Sequence, residues 1–346
     1  MTVPEDLTLI PIEYSSSIDG LGPLHADLIF RPDGKRKPLT AVLHGFHCTR
    51  GHVTPDCIAL ARRGLFCVAP NMRGHGDSAG QHDCGALQIC DIVDALGQAA
   101  VRFPAEVDRL NINAVGYSGG GGNVMSLVTK FPDLLHAGAS FFGVSDYELW
   151  YRSKGRVDCN RTMERAIGGN PEQVPDRYAA RSSLKAVGNN PRALLLVFWD
   201  SEETACPPFL NEWFIDAAQR LGHTNVRAFA SKPGDPSRWH HGYRTDHPEL
   251  AAADDIFTPA FLASAPPQEL PESGVLDICG YVVTSRFAVW LGDGKAGHAR
   301  IRYDLRGKTP AIECLDAAAS PSLRVIPGPT CLRWISALPP ATKDRS

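Results

Sequence analysis

Closely spaced cysteine pairs are missing from this sequence. Its ten cysteines are scattered along 346 residues, and no two stand at C-x-x-C spacing. A chain of this length buries a core large enough to dispense with disulfide staples. The thiols are therefore expected to be reduced and to pack as small, half-buried hydrophobes. Paired Cys or His ligands at zinc-binding spacing are missing too, so neither a metal nor an organic cofactor is expected. His240 and His241 are adjacent, and sequence neighbours seldom point at one ion. A long apolar run is also lacking. The longest, residues 193–199, falls far short of the roughly 20 residues needed to span a bilayer, so no membrane association is expected. Charge of one sign is not in excess: 35 Lys+Arg face 38 Asp+Glu, a formal net charge of −3. That balance gives no general reason to bind nucleic acid. The opening Met1-Thr-Val-Pro-Glu-Asp lacks the basic and then apolar segments of a secretory leader, and a cytoplasmic location is expected. Apolar residues make up 43% and charged residues 21%, a globular composition that argues against disorder.

Two regimes run along the chain. From about residue 7 to 264, short apolar runs alternate with helical patterns, which suggests βαβ units. Residues 7–14 and 25–30 read as two antiparallel lead strands, and 39–43, 65–70, 110–115, 137–144, 193–199 and 226–231 as further strands. Helical patterns occupy 56–63, 86–103, 123–131, 208–221 and 248–264. The run at 193–199 is wholly apolar, as expected for a strand covered on both faces in a mostly parallel sheet. Pro266, Pro267 and Pro271 mark a linker over 265–273. Beyond it the sequence alternates. Ala299, Ile301, Tyr303 and Leu305 fall on one face, and His298, Arg300, Arg302 and Asp304 on the other. Runs at 281–283, 286–291, 311–315, 323–326 and 332–338 add strands, and Gly292-Asp293-Gly294 is a hairpin signal. The expected architecture is α/β, a mostly parallel sheet with helices on both faces over 1–265, followed by a small antiparallel sandwich or partial barrel over 266–346.

The chemistry concentrates at Gly116-Tyr117-Ser118-Gly119-Gly120. This G-x-S-x-G sits where a strand gives way to a helix. A nucleophile there stands on a tight, strained turn that lifts its hydroxyl above the sheet, and glycines two residues to either side avoid collision. The helix starting at Gly119 aims its free amides at the reacting oxygen. Ser118 is the candidate nucleophile.

His44-Gly45-Phe46 after an earlier strand, Asn71-Met72-Arg73-Gly74-His75-Gly76-Asp77-Ser78 after the next, and His241-Gly242-Tyr243 late in the chain complete a pattern. Together they resemble the α/β-hydrolase superfamily and, within it, the catalytic domain of the prolyl oligopeptidase-like group, over residues 7–264. The resemblance implies a serine nucleophile, an acid and a histidine in that chain order. It makes the Phe46 and Gly119 amides the oxyanion donors and His241 the base, with His240 and His247 as rivals. Arg73 and His75 are expected to tie loops together. The acid follows the strand at 193–199. Counted from the family's glycine, which Trp199 replaces, it is Glu202, with Asp200 and Glu203 as alternatives.

Residues 147–190 lie between two sheet strands, in the slot that often roofs the pocket in this fold. Their aromatic and arginine side chains, Trp150 and Arg156 among them, either bind substrate or pack the roof. Tyr281, Trp290 and Trp334 fill the tail's core or its contact with the catalytic part, unless they line a carbohydrate-binding face. Only about 40 residues precede His44, which leaves no room for the propeller that precedes the catalytic domain in peptidases of that group. The expectation is therefore a serine hydrolase acting on small carboxylic esters through an acyl-enzyme. An oligopeptidase or aminoacyl peptidase, and a non-catalytic binder on a hydrolase scaffold, are the alternatives. The tail is expected to serve as a lid or as a contact in a homo-oligomer.

Overall fold

The computed structural model describes residues 3–190, 192–236, 238–264, 268–316 and 322–328. An eight-stranded sheet forms the centre. Its strands are β1 (Thr8–Tyr14), β2 (Leu24–Phe30), β3 (Lys37–Leu43), β4 (Phe66–Pro70), β5 (Val107–Tyr117), β6 (Ala137–Phe141), β7 (Leu194–Asp200) and β8 (Val226–Ser231). They lie in the order β1-β2-β4-β3-β5-β6-β7-β8. β1 with β2, and β2 with β4, pair antiparallel. From β4 onward every pair is parallel.

Parallel strands need crossovers, and helices supply them: α1 (Thr54–Arg62), α2 (Gln88–Arg102), α3 (Gly119–Lys130), α4 (Tyr147–Ser153), α5 (Val157–Ile167), α6 (Pro175–Ala179), α7 (Phe209–Arg220) and α8 (Asp254–Leu262). Strand side chains alternate between the two faces. In β7, Leu195, Val197 and Trp199 join one apolar core, while Leu196 and Phe198 join the other. The first core is closed by α2, α3 and α7, the second by α1 and α8. Each face is therefore dry, and the wholly apolar run reflects burial on both sides. Among the described residues, no helix is long and apolar enough to cross a membrane.

A second, antiparallel sheet follows: β9 (Ser273–Cys279), β10 (Tyr281–Val283), β11 (Phe287–Leu291), β12 (His298–Asp304), β13 (Ala311–Cys314) and β14 (Leu323–Pro327), in the order β13-β12-β9-β10-β11-β14. The same alternation splits β11. Phe287, Val289 and Leu291 belong to this sheet's own cluster, whereas Ala288 and Trp290 join the core under α2 and α3. Tyr281 and Trp290 stack at 4.5 Å and are buried there, so they are packing residues and present no sugar-binding face. Trp334 and the alternating run at 332–338 lie outside the described residues. β9 was not anticipated. Its Val275 faces solvent, and Gly274 and Asp277 interrupt its apolar pattern, so it reads as an extension of the Pro-rich linker.

The two sheets are stapled at the end of α3. Lys130 is buried, and its ammonium donates to the carbonyls of Ala180, at 3.0 Å, and of Cys279. It also sits 4.4 Å from the Tyr281 ring centroid.

Candidate active site

The functional candidates gather beyond the C-terminal ends of β3, β5 and β7, the edge where doubly wound sheets place their ligands. Ser118 joins β5 to α3 with φ 56° and ψ −120°. A positive φ is strained for a side chain other than glycine and is held only by its surroundings. Here the surroundings are two close approaches. A β-carbon on Gly116 would stand 2.3 Å from the Gly120 carbonyl oxygen, and one on Gly120 would stand 2.3 Å from that of Leu43. The motif's glycines are steric requirements of the turn.

The loop after β3 is fixed from three sides. His44 is buried, accepts from the Met72 N–H at Nε2 (3.2 Å) and lies 2.9 Å from the Gly45 carbonyl at Nδ1. That pairing places its proton on Nδ1. Burial, reinforced by the neighbouring His75, depresses its pKa to about 3, so it stays neutral. The Gly45 N–H donates to Tyr243 Oη at 2.6 Å. The Phe46 amide nitrogen comes within 3.0 Å of the place a Gly119 β-carbon would occupy, so the two expected oxyanion donors do converge. Arg73 clamps Asp91 (2.6 and 2.7 Å) and Asp19 (2.8 Å) behind this loop, in the tying role expected of it.

Of the three candidate acids, Glu203 is the one placed against His241. Its Oε2 lies 3.0 Å from His241 Nδ1, with only 6% of its side chain exposed. The contact is close, but its direction falls outside good hydrogen-bond alignment; such bonds are often loose before substrate binds. Glu203 Oε1 accepts from the amides of Ala205 (2.5 Å) and Cys206 (3.3 Å). Burial alone would raise this carboxyl's pKa. The imidazole and the two amides outweigh burial and hold it below the usual range. Glu202, the residue indicated by the family spacing, points elsewhere: its carboxylate is 62% exposed and meets Arg238 at 3.3 Å. The reason is local. Asp200 ends β7 and accepts the Glu203 N–H in a tight turn (3.2 Å), so successive side chains point in different directions. Asp200 is occupied as well, gripped by Arg238 (2.5 and 2.8 Å) and bonded to Ser231. His240 and His247 both turn to Glu249; His241, its ring tilted against Phe142 at 5.1 Å, is the one of the three that lines a cavity with Ser118.

Ser118 and His241 line one cavity of about 350 Å³ with Phe46, Trp150, Cys206 and Arg156. Ser118 Oγ makes its hydrogen bond to Cys206 Sγ at 3.5 Å rather than to His241. Nothing in the spacing of Cys206 signals that contact. The roof formed by α4–α6 is tied down where Trp150 Nε1 donates to the Ala205 carbonyl (2.7 Å). Its arginines are largely spoken for: Arg152 pairs with Glu148 and Glu172, and Arg156 with Asp158.

Known proteins resemble this chain in family and in fold. A profile of the prolyl oligopeptidase family matches residues 52–231, about half of the chain. The match includes Ser118 and Glu203 and stops before His241. A Bacillus subtilis protein named uncharacterized peptidase YtmA is 31% identical over 157 residues, covering 44% of this chain and 58% of that protein. The chain thus spans less than two thirds of that relative. Among solved structures, Pyrococcus horikoshii acylaminoacyl peptidase superposes with a TM-score of 0.60 at 20% identity, over 76% of this chain and 43% of that one. Pyrococcus furiosus esterase Pf2001 superposes with a TM-score of 0.57 at 14% identity, over 73% of this chain and 91% of that one. These structural likenesses establish the α/β-hydrolase fold.

Proposed function

The chain belongs to the prolyl oligopeptidase family, and from that premise we propose that it is a serine hydrolase of small carboxylic esters, with Ser118 as nucleophile, His241 as base and Glu203 as acid. The observation that carries this reading is a serine on a strained strand-to-helix turn, sharing one cavity with a histidine whose other ring nitrogen meets a buried carboxylate. Ser118 Oγ attacks the acyl carbonyl as its proton passes to His241 Nε2. The Phe46 and Gly119 amides receive the developing oxyanion; losing one such donor typically costs about 3 kcal/mol. Glu203 keeps the proton of the resting imidazole on Nδ1 and stabilises the imidazolium. His241 then protonates the departing alcohol, and water releases the acyl group by the same route. A cavity of about 350 Å³ favours a small acyl group. A cytoplasmic location fits the nine described cysteines, all free thiols.

The family's name favours a second reading, cleavage of short unstructured peptides. Parallel turnover of p-nitrophenyl esters and aminoacyl-nitroanilides decides between the two. Ester turnover that falls roughly ten-thousand-fold or more in Ser118→Ala supports the proposal. Faster anilide turnover moves the assignment to a peptidase, and equal rates in wild type and variant remove Ser118 from the chemistry.

A further inference from the structure

At the mouth of the catalytic cavity, segments distant in sequence bring three metal-type donors together. His47 follows Phe46 directly. Asp158 and Cys159 begin α5 of the roof. One donor atom from each lies within 4.8 Å of the others, and both His47 and Cys159 line the cavity. No pair of these donors has ligand spacing in the sequence, which is why composition and spacing gave no hint of them.

The hydrogen bonds around His47 leave a gap at the centre of this cluster. The Thr162 hydroxyl donates to the Asp158 carbonyl at 3.5 Å. Its oxygen is then free to accept from His47 Nε2, 2.8 Å away, the tautomer that leaves Nδ1 unprotonated. The Nδ1 lone pair then faces Asp158 Oδ2 at 3.7 Å with no proton between them, and Cys159 Sγ stands 3.8 Å from the same oxygen. Lone pair, carboxylate and thiol converge on one point. The opposing charge is Arg156, bonded to both Asp158 oxygens at 2.9 and 2.6 Å. The second lone pair of Asp158 Oδ2 accepts the Cys159 thiol proton and is freed for a cation when that proton leaves.

We propose that His47 Nδ1, Asp158 Oδ2 and Cys159 Sγ form a binding site for a zinc-like divalent ion that inhibits the enzyme. A nitrogen, sulfur and oxygen set suits such borderline-soft ions. Three protein ligands leave a fourth position for water. On binding, each donor gives an electron pair to the metal and the Cys159 thiol proton passes to solvent. The His47 Nε2–H stays on Thr162, the outer contact that fixes the ring. The ion ties α5 of the roof to the residue after Phe46 and so arrests the roof against the oxyanion loop. Metal binding stands on these donors alone; inhibition rests on the proposed hydrolase activity.

Cobalt(II) and zinc titrations of the full chain test the two parts separately. One cobalt per chain with a thiolate-to-cobalt charge-transfer band is expected. The band should vanish in Cys159→Ala, and affinity should fall about tenfold or more in the solvent-facing His47→Gln. Circular dichroism of both variants confirms folding. His247→Gln, which breaks the rival His240–His247–Glu249 cluster, should leave the band intact. Zinc should inhibit ester turnover by the wild type and spare what turnover Cys159→Ala retains. Absence of the band, its persistence in Cys159→Ala, or its loss in His247→Gln overturns the site. Equal zinc inhibition of wild type and Cys159→Ala overturns the inhibitory role. Failure of every variant to hydrolyse esters refutes the hydrolase reading, while the cobalt spectra still decide the site.

Discussion

Helix α3 serves two ends differently. Its first turn follows a strained serine whose hydroxyl touches only a thiol in the resting state and faces an open cavity. Its last residue, Lys130, is sealed from water and donates to carbonyls from the roof and from the second sheet. Burial depresses its ammonium pKa to about 8, so at neutral pH the charge is kept in place by its acceptors. The front end holds groups in reserve for a substrate, and the back end leaves nothing in reserve. Reactivity and cohesion are thus separated along about 18 Å of one helix of 12 residues.

The sharpest way to test that division is at the front. Glu203→Gln should lower kcat by about a thousandfold or more with little change in melting temperature, as removal of the orienting acid does in other triads. Glu202→Gln should change kcat by less than about twofold, because that carboxylate is exposed and turned to Arg238. If the two variants trade places, the assignment of the acid is wrong.

At the back, Lys130→Met keeps volume but leaves two buried carbonyls without their donor. A loss of about 2 kcal/mol in urea unfolding is expected, with kcat per folded molecule unchanged. A drop in kcat without loss of stability would dissolve the distinction between the two ends.

The remaining test concerns pH. His44 and His82 are held neutral, with pKa values depressed to about 3 and about 2 by burial and by neighbouring histidines. An unfolded histidine takes up a proton near its ordinary value of about 6.5. Below that pH the unfolded state binds more protons than the folded one, so stability is full above about pH 6.5 and declines toward pH 3. The slope reaches at most about 1.4 kcal/mol per pH unit for each histidine. Urea midpoints at pH 7.5 and 5 measure it, and His82→Gln should flatten the slope. An unchanged midpoint would mean that these rings are protonated in the fold.

Much of the front end was legible in the sequence because its constraints are local. A strand, a serine between glycines and a helix must be contiguous, and 110–131 carries all three. The doubly buried β7 likewise announces itself through a run of apolar residues. The carboxylate that meets His241 lies one position from the expected Glu202, because a turn, unlike a strand, has no period from which to read side-chain direction. Ser231, at the end of β8, and Arg238, in the loop after it, draw Asp200 away and lie about 30 residues or more along the chain. The Cys206 contact and the Lys130 staple are also long-range, and no spacing rule reaches them. β9 was hidden for a different reason: its polar Asp277 is satisfied by Arg300 of β12, a partner that exists only once the sheet has formed.

Tyr243 stands two residues beyond His241, and its hydroxyl accepts the Gly45 amide at 2.6 Å. The loop bearing the proton acceptor is thereby clamped to the loop bearing an oxyanion donor. The alignment that the proposed chemistry needs thus rests on a coupling between loops as well as on the ties that fix the loop after β3.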